Sequence, residues 1–266
     1  MKKKCLVLGC GKMATAITVA KNQSDNMIDF SCYTPGLTSA KILAEKINGS
    51  VVIELNSLHE FDLILIACKP QQFAELAIQI KHKIAPHSLI LSIMAGVKAE
   101  QVRDALAFPK VARIMPNTPI AIARGVNLVH FSAQLTSTDR NLILDFFKDI
   151  ASSFEVQNED EFDLLTPMVG SGPALMYYFY NGYIKHLEQQ GISAELARRI
   201  VSSVFASSAQ FAQQSSRSLA DLISDVTSKG GITSAALNVF QQKDLAQIIC
   251  ESYQAAYQRN SELNLK

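Results

Sequence analysis

The run Cys5-Leu6-Val7-Leu8-Gly9-Cys10-Gly11-Lys12-Met13-Ala14 decides how this chain folds. Four apolar residues in a row read as a buried strand, and the pattern from Lys12 to Lys21 is helical. Between them stands Gly9-x-Gly11-x-x-Ala14, the glycine fingerprint of a dinucleotide-binding turn. Each small residue has a physical task there. Gly9 permits the tight turn, Gly11 lets the backbone approach a pyrophosphate, and Ala14 lets helix and strand pack closely. The start of the helix adds free N–H groups and positive potential for an anion. An ordinary glycine turn is the competing reading, and the direct passage from strand to helix weighs against it.

Working outward, the first 156 residues alternate short apolar runs with helical patterns. The runs are Cys5–Leu8, Ile28–Tyr33, Val51–Ile53, Asp62–Ala67, Leu89–Ile93, Val111–Met115, Val126–Phe131 and Phe154–Val156. The helical patterns are Lys12–Lys21, Thr38–Ile47, Phe73–Ile84, Ala99–Leu106 and Thr138–Ile150, the last capped from Ser137-Thr138-Asp139. Continuous apolar strands alternating with helices imply a parallel sheet covered on both faces. Residues 1–157 are therefore expected to form an α/β, Rossmann-type doubly wound sheet that binds NAD(P).

From about Glu159 the strand pattern stops, and residues 158–266 read as an all-α domain for substrate binding and dimerisation. Pro173, after Gly170-Ser171-Gly172, suits the first turn of a helix; Gly191 ends that helix and Ser193 caps the next. Along that next helix Leu196, Ile200, Val204 and Phe211 fall near one face, with Ala and Ser on the others and almost no charge. Several helices this bare exceed what so short a domain buries alone, which points to a subunit interface rather than a monomeric cap.

Composition narrows the class. Of 266 residues 48% are apolar and 18% charged, and 25 Lys+Arg balance 24 Asp+Glu for a net +1. That supports a large core and carries no electrostatic footprint for nucleic acid. The five cysteines (Cys5, Cys10, Cys32, Cys68, Cys250) have no CxxC spacing, and four lie in or beside strand-like runs. They read as free thiols in a reducing, cytoplasmic setting. The histidines have no ligand spacing, so no metal site is expected. Met1-Lys2-Lys3-Lys4 before Cys5–Leu8 and Cys10 imitates a lipoprotein leader. Gly9 closes its apolar run well short of the roughly 7–15 residues such a segment needs. Ile200–Ser216 is uncharged, but Ser and Gln fill more than half of it, so no membrane span is expected.

The chemistry should lie at the carboxyl ends of the strands. The cofactor set is Leu8, Gly9, Cys10, Gly11, Lys12 and Met13 of the fingerprint, Thr34 after the second strand, Ala67-Cys68-Lys69-Pro70 after the fourth, Ala95-Gly96 after the fifth and Asn117 after the sixth. No acid follows the second strand, since Asp29 lies within it. Thr34 donates to a 2′-phosphate where a carboxylate would repel one, which points to NADPH ahead of NADH. Asn117, between Pro116 and Pro119, is held in a rigid turn suited to the nicotinamide carboxamide, or to the turn alone. Lys69 faces either phosphates or solvent, and Arg113 reads equally as an ion-pair partner. In the helical domain Thr227-Ser228-Lys229-Gly230-Gly231-Ile232-Thr233 leads into a helix from about Ser234. Two glycines before a helix make a nest for a carboxylate, with the Ser228 and Thr233 hydroxyls as further donors. A flexible connection between helices is the alternative.

Taken in order, these segments resemble the pyrroline-5-carboxylate reductase family over the whole chain. The resemblance rests on the Gly9 fingerprint, residues 67–70, 95–97 and 113–119, Asp163, Thr166, Gly170-Ser171-Gly172-Pro173-Ala174, and most specifically Val226-Thr227-Ser228-x-Gly230-Gly231-x-Thr233. It implies a Rossmann domain joined to a helical domain that interlocks between subunits, giving a homodimer or a ring of dimers. The implied reaction is NAD(P)H-dependent reduction of the cyclic imine Δ1-pyrroline-5-carboxylate to L-proline, the last step of proline biosynthesis. Ser228, Gly230, Gly231, Ile232 and Thr233 would then bind the small-molecule substrate, its carboxylate on the N–H groups of Gly231 to Thr233. Thr233 takes the catalytic place, its hydroxyl touching the imine nitrogen to orient and polarise it. The chain departs from the family pattern at Lys229 (usually Pro), Ile232 (usually Thr or another small residue) and Leu175 (usually aromatic). Those departures leave two alternatives: a reductase of another cyclic imine carboxylate, such as a six-membered ring, and a non-catalytic NADP-binding paralogue. A hydroxyacid dehydrogenase ranks lower, because Lys229 alone would serve as its catalytic lysine.

Overall fold

A computed structural model of the chain describes residues 2–264. Its strands are β1 (Lys3–Leu8), β2 (Ile28–Tyr33), β3 (Ser50–Val51), β4 (Leu63–Ile66), β5 (Leu89–Ser92), β6 (Val111–Met115), β7 (Gly125–Phe131) and β8 (Ala151–Glu155). Between them lie α1 (Lys12–Ser24), α2 (Thr38–Ile47), α3 (Pro70–Ile80), α4 (Ala99–Leu106) and α5 (Ser137–Phe147). Among the described residues the strands form one sheet, β3-β2-β1-β4-β5-β6-β7-β8. The order reverses between β1 and β4, and the carboxyl ends of these two strands frame the crevice where such sheets take ligands.

The doubly wound arrangement stands, but the sheet is not wholly parallel: β7 runs antiparallel to β6. A short 3-10 segment, Thr118–Ile122, is the only ordered element between them, and a parallel return needs a crossover of a dozen residues or more. Along the central strands alternate residues face opposite sides, and both sides are covered. Cys5, Val7, Leu63 and Leu65 share one buried cluster with Ile17 of α1. Leu6, Leu8, Ile64 and Ile66 share the other with Phe73 and Leu76 of α3 and Val102 of α4. Burying each Leu or Ile so completely is worth about 1.5–3 kcal/mol, which fixes the strand register and with it the loops at the strand ends.

Several boundaries move. The third strand is shorter than its apolar run, and Ile53 is exposed. The last strand begins at Ala151, ahead of the expected Phe154. Helix α3 begins at Pro70 rather than Phe73, because proline's fixed φ and missing N–H suit the first helical position. Helix α5 is capped by Thr136 rather than from residue 137 on: its side chain accepts the Asp139 N–H, and the Asp139 carboxylate accepts the Thr136 N–H in return.

The chain divides into two compact units: residues up to Pro173 with those from Ala256 on, and Ala174–Ala255. Helix α6 (Glu159–Gln189) runs unbroken through Gly170-Ser171-Gly172-Pro173, where the sequence predicts a new helix start. Two prolines lie inside it. Pro167 has no N–H to offer the carbonyl of Asp163, and the buried Asn260 donates to that carbonyl instead, at 3.2 Å. A side chain thus supplies the donor that the proline lacks.

The second unit holds α7 (Ala194–Gln214), α8 (Leu219–Asp225), α9 (Ile232–Gln242) and most of α10 (Leu245–Asn264). As expected, Gly191 follows α6 with a left-handed φ of +90°, and the Ser193 hydroxyl caps α7 by accepting the Leu196 N–H. The stripe Leu196, Ile200, Val204 and Phe211 is exposed, and α8 and α9 bury no residue at all. No helix among the described residues is long and apolar enough to cross a membrane.

Candidate active site

The two glycines of the first turn have different surroundings. Gly9 adopts φ +102°, and a Cβ there would stand 2.6 Å from the Cys68 nitrogen and 2.7 Å from the Ala67 carbonyl. Its N–H donates to the Tyr33 carbonyl at 3.0 Å, so the turn is wedged between the ends of β2 and β4. Gly11 is the N-cap of α1, and a Cβ there would meet nothing within 4 Å. The first intrahelical bond runs from Thr15 N to Gly11 O, which leaves the N–H groups of Lys12, Met13 and Ala14 without helical acceptors. Free donors facing open space are what a pyrophosphate needs.

A cavity of about 330 Å³ lies beside this turn, lined by Leu8, Gly9, Cys10, Gly11, Thr34 and residues 67–69 among others. The Thr34 hydroxyl is buried there without a hydrogen-bond partner. Asp29 pairs with Lys2 at 3.3 Å and does not belong to the lining. An orphaned hydroxyl and an open glycine cradle fit a dinucleotide, and the end of β2 carries no carboxylate to repel a 2′-phosphate; the carboxylate in the lining is Glu75 of α3. Cys10 and Cys32 are buried and Cys68 is half-buried. Burial pushes the Cys68 thiol up to about 11, so at neutral pH it is a packing group against Met94 and not a nucleophile.

The loops after β5 and β6 lie outside that cavity. Ala95 is exposed, and Gly96 turns the chain with φ +70°. Asn117 is buried, and its side-chain carbonyl accepts the Val126 N–H at 2.9 Å, closing the turn into β7. Only its NH₂ group remains for a carboxamide. Arg113 is fully buried, with its fork on Glu159 and on Asp163 (2.8 Å) and its guanidinium 4.2 Å over the Phe162 ring.

In the second unit, Gly231 is the N-cap of α9, two residues or more ahead of the predicted helix start. The Gly231 N–H closes a turn on the Ser228 carbonyl at 3.0 Å, so it is not the donor that the sequence reading assigned to a carboxylate. The first intrahelical bond is Ala235 N to Gly231 O; the N–H groups without helical acceptors are those of Ile232, Thr233 and Ser234. Gly230 has φ +73°, and a Cβ on Gly231 would collide with the Ser228 hydroxyl. The backbone itself therefore favours glycine at 230, whereas at 231 it is the position of the Ser228 hydroxyl that leaves no room for a side chain. Thr227 is committed to the Ile223 carbonyl at 2.6 Å. Ile232, 93% exposed, stands at the head of the helix.

Residues 159–263 match the family model described as pyrroline-5-carboxylate reductase dimerisation, and residues 4–96 match one described as NADP oxidoreductase, coenzyme F420-dependent. A pyrroline-5-carboxylate reductase of Staphylococcus aureus is 30% identical over 266 residues, covering 98% of each chain. The chain belongs to the pyrroline-5-carboxylate reductase family. Among solved structures, the Plasmodium falciparum pyrroline carboxylate reductase with NADP bound superposes with a TM-score of 0.88 at 22% identity, covering 98% of each chain. The Streptococcus pyogenes 1-pyrroline-5-carboxylate reductase gives 0.88 at 24% identity, covering 97% of this chain and 98% of that one.

For this member of the reductase family, the cavity gathers most of the fingerprint residues with Thr34 and Lys69, while Pro70 sits at the start of α3 and Lys12 and Met13 form the first turn of α1. It also contains Tyr33, Ser39, Gln72, Glu75 and Gln79, none of them in the predicted site. The last three recur at helical spacing from Pro70. Starting the helix at Phe73 leaves out Gln72, whereas Glu75 and Gln79 lie within it and carry no residue-type mark of a lining position.

Proposed function

We propose that this reductase converts Δ1-pyrroline-5-carboxylate to L-proline with NADPH, in the cytoplasm, as a homodimer or a ring of dimers. The observation that carries the reading is the pair of anion-ready turns in a single chain: Gly9–Gly11 for a pyrophosphate and Ser228–Thr233 for a carboxylate. The exposed apolar stripe of α7 and the unburied faces of α8 and α9 support a subunit interface.

Leu8 to Met13 hold the pyrophosphate, Thr34 the 2′-phosphate, and Lys69 a phosphate oxygen; Ala95-Gly96 and the Asn117 NH₂ group bound the nicotinamide. Bound NADPH supplies the hydride. The N–H groups of Ile232, Thr233 and Ser234, with the Ser228 hydroxyl, hold the carboxylate and so fix the ring. The Thr233 hydroxyl orients the ring nitrogen. A threonine hydroxyl is too weak an acid to protonate an imine at neutral pH, and a substrate arriving as the iminium needs no acid. Positioning of this kind supplies several kcal/mol of a barrier reduction.

Ile232 favours a second reading, because a branched side chain at the head of α9 bears on ring size. The test is steady-state oxidation of NADPH with five- and six-membered cyclic imine carboxylates, the product identified by chromatography. The proposal expects the higher kcat/KM with the five-membered ring and L-proline as product. Faster turnover of the six-membered ring, or none of either, overturns it.

A further inference from the structure

Strand β6 reads Val111-Ala112-Arg113-Ile114-Met115 and is buried along its whole length. Arg113 stands in register with Ser92 on one side and His130 on the other. Its Nε, the Ser92 hydroxyl and His130 Nδ1 are all buried without partners, a row of orphaned polar atoms across three strands. Buried ion pairs are a weak source of stability, and apolar residues of similar volume often replace them at no loss. What a guanidinium held by two carboxylates does supply is fixed geometry.

The fixed elements are identifiable. Two residues beyond Arg113 the strand ends at Met115 and the chain enters the Asn117 turn. One Glu159 oxygen takes Arg113, and the other accepts the N–H of Ala99 at 2.7 Å. Ala99 is the first residue of α4, just after the Ala95-Gly96 turn. One carboxylate thus ties the loop after β5 to the strand that carries the loop after β6. Asp163 holds the second arm of the fork, and its own carbonyl is secured by Asn260.

We propose that Arg113, acting through Glu159 and Asp163, is the positioning residue that sets the spacing of the two loops flanking the nicotinamide. This rests on the nicotinamide placement proposed above. The Gly9–Thr34–Lys69 cavity contains none of the three residues, so cofactor affinity is held mainly elsewhere.

The test is Arg113→Met combined with Glu159→Gln and Asp163→Asn, which removes every charge together and leaves an acceptor for the Ala99 N–H. Arg113→Lys, which reaches one carboxylate at a time, is the milder companion. Both are expected to melt cooperatively and to bind NADPH within about threefold of wild type, since ground-state binding is not what the tie supplies. Their kcat is expected to fall, by roughly tenfold or more in the neutral variant and less in Arg113→Lys, as small misplacements do. A purely structural role would lower the melting temperature and leave kcat alone. Wild-type kcat in Arg113→Lys, or in a folded neutral variant, overturns the proposal. Asn117→Ala separates the two layers. If it lowers kcat while the Arg113 variants do not, only the tie fails; if it leaves kcat unchanged, the nicotinamide placement and the tie built on it both fail.

Discussion

Gly9 lies so close to Cys68 that a methyl group on it would stand 2.6 Å from the Cys68 amide nitrogen, whereas Gly11 has open space where its own would go. Two glycines of one motif therefore fail in different ways. Gly9→Ala forces the ends of β1 and β4 apart and should lower the melting temperature. Gly11→Val should fold normally and fill the place of the pyrophosphate, weakening NADPH by roughly tenfold or more, the worth of one or two lost charge-assisted hydrogen bonds. A fluorescence titration beside thermal melts checks both, and wild-type NADPH affinity in Gly11→Val would refute the motif's role.

Thr34 offers a buried hydroxyl with no partner at the end of β2. NADPH should give a higher kcat/KM than NADH. Thr34→Asp should move the ratio toward NADH by roughly tenfold or more, a unit charge at close range being worth on the order of 1–4 kcal/mol. Steady-state kinetics with both cofactors decide it, and an unchanged ratio removes Thr34 from the site.

Thr136 and Asp139 cap α5 reciprocally. Thr136→Ala should cost about 0.5–2 kcal/mol of stability with no change in kcat, as lost N-caps do. Burial raises the Asp139 carboxyl, but hydrogen bonds from Thr136 and Lys110 outweigh it and hold the group below its ordinary value. A depressed folded value contributes stability above the unfolded pKa, lost as pH falls through the folded one. Asp139→Asn should therefore destabilise at pH 7 and converge with wild type as the pH falls through the depressed value of the folded carboxyl. A constant gap in melting temperature across that range would contradict the sign.

What was legible in the sequence was what depends on local pattern. Leu6 to Leu8, Ile64 to Ile66 and the glycines between strand and helix carry their burial and turn geometry in residue type alone. The antiparallel β7 is legible only from spacing: Val126–Phe131 reads as a strand in either direction, and the ten residues between Met115 and Val126 are too few for a parallel crossover. The continuity of α6 is not legible: Pro173 is as good a helix start as an interior residue until neighbouring turns are seen. A helix read from Phe73 leaves out Gln72, while Glu75 and Gln79 fall inside it with nothing in their residue type to mark them as lining; Glu159 is hidden by its partners, which are distant in sequence.

Val204 and Phe211 lie exposed on α7. If that stripe is the subunit interface, Val204→Asp with Phe211→Asp should weaken the dimer by roughly 100-fold or more, since unpaired buried charges cost several kcal/mol. Light scattering at micromolar concentration should show a dimer or larger for the wild type and a monomer for the variant. A monomeric wild type would rule out the interface.

Placement of the substrate on the first turn of α9 is tested most directly by Thr233→Val, which removes one hydroxyl and almost no volume. Loss of such a contact costs roughly 1–3 kcal/mol, or about 5- to 150-fold in kcat/KM for Δ1-pyrroline-5-carboxylate. NADPH affinity should stay unchanged and Thr233→Ser should recover most of the activity. A Thr233→Val enzyme with wild-type kcat/KM would contradict that placement.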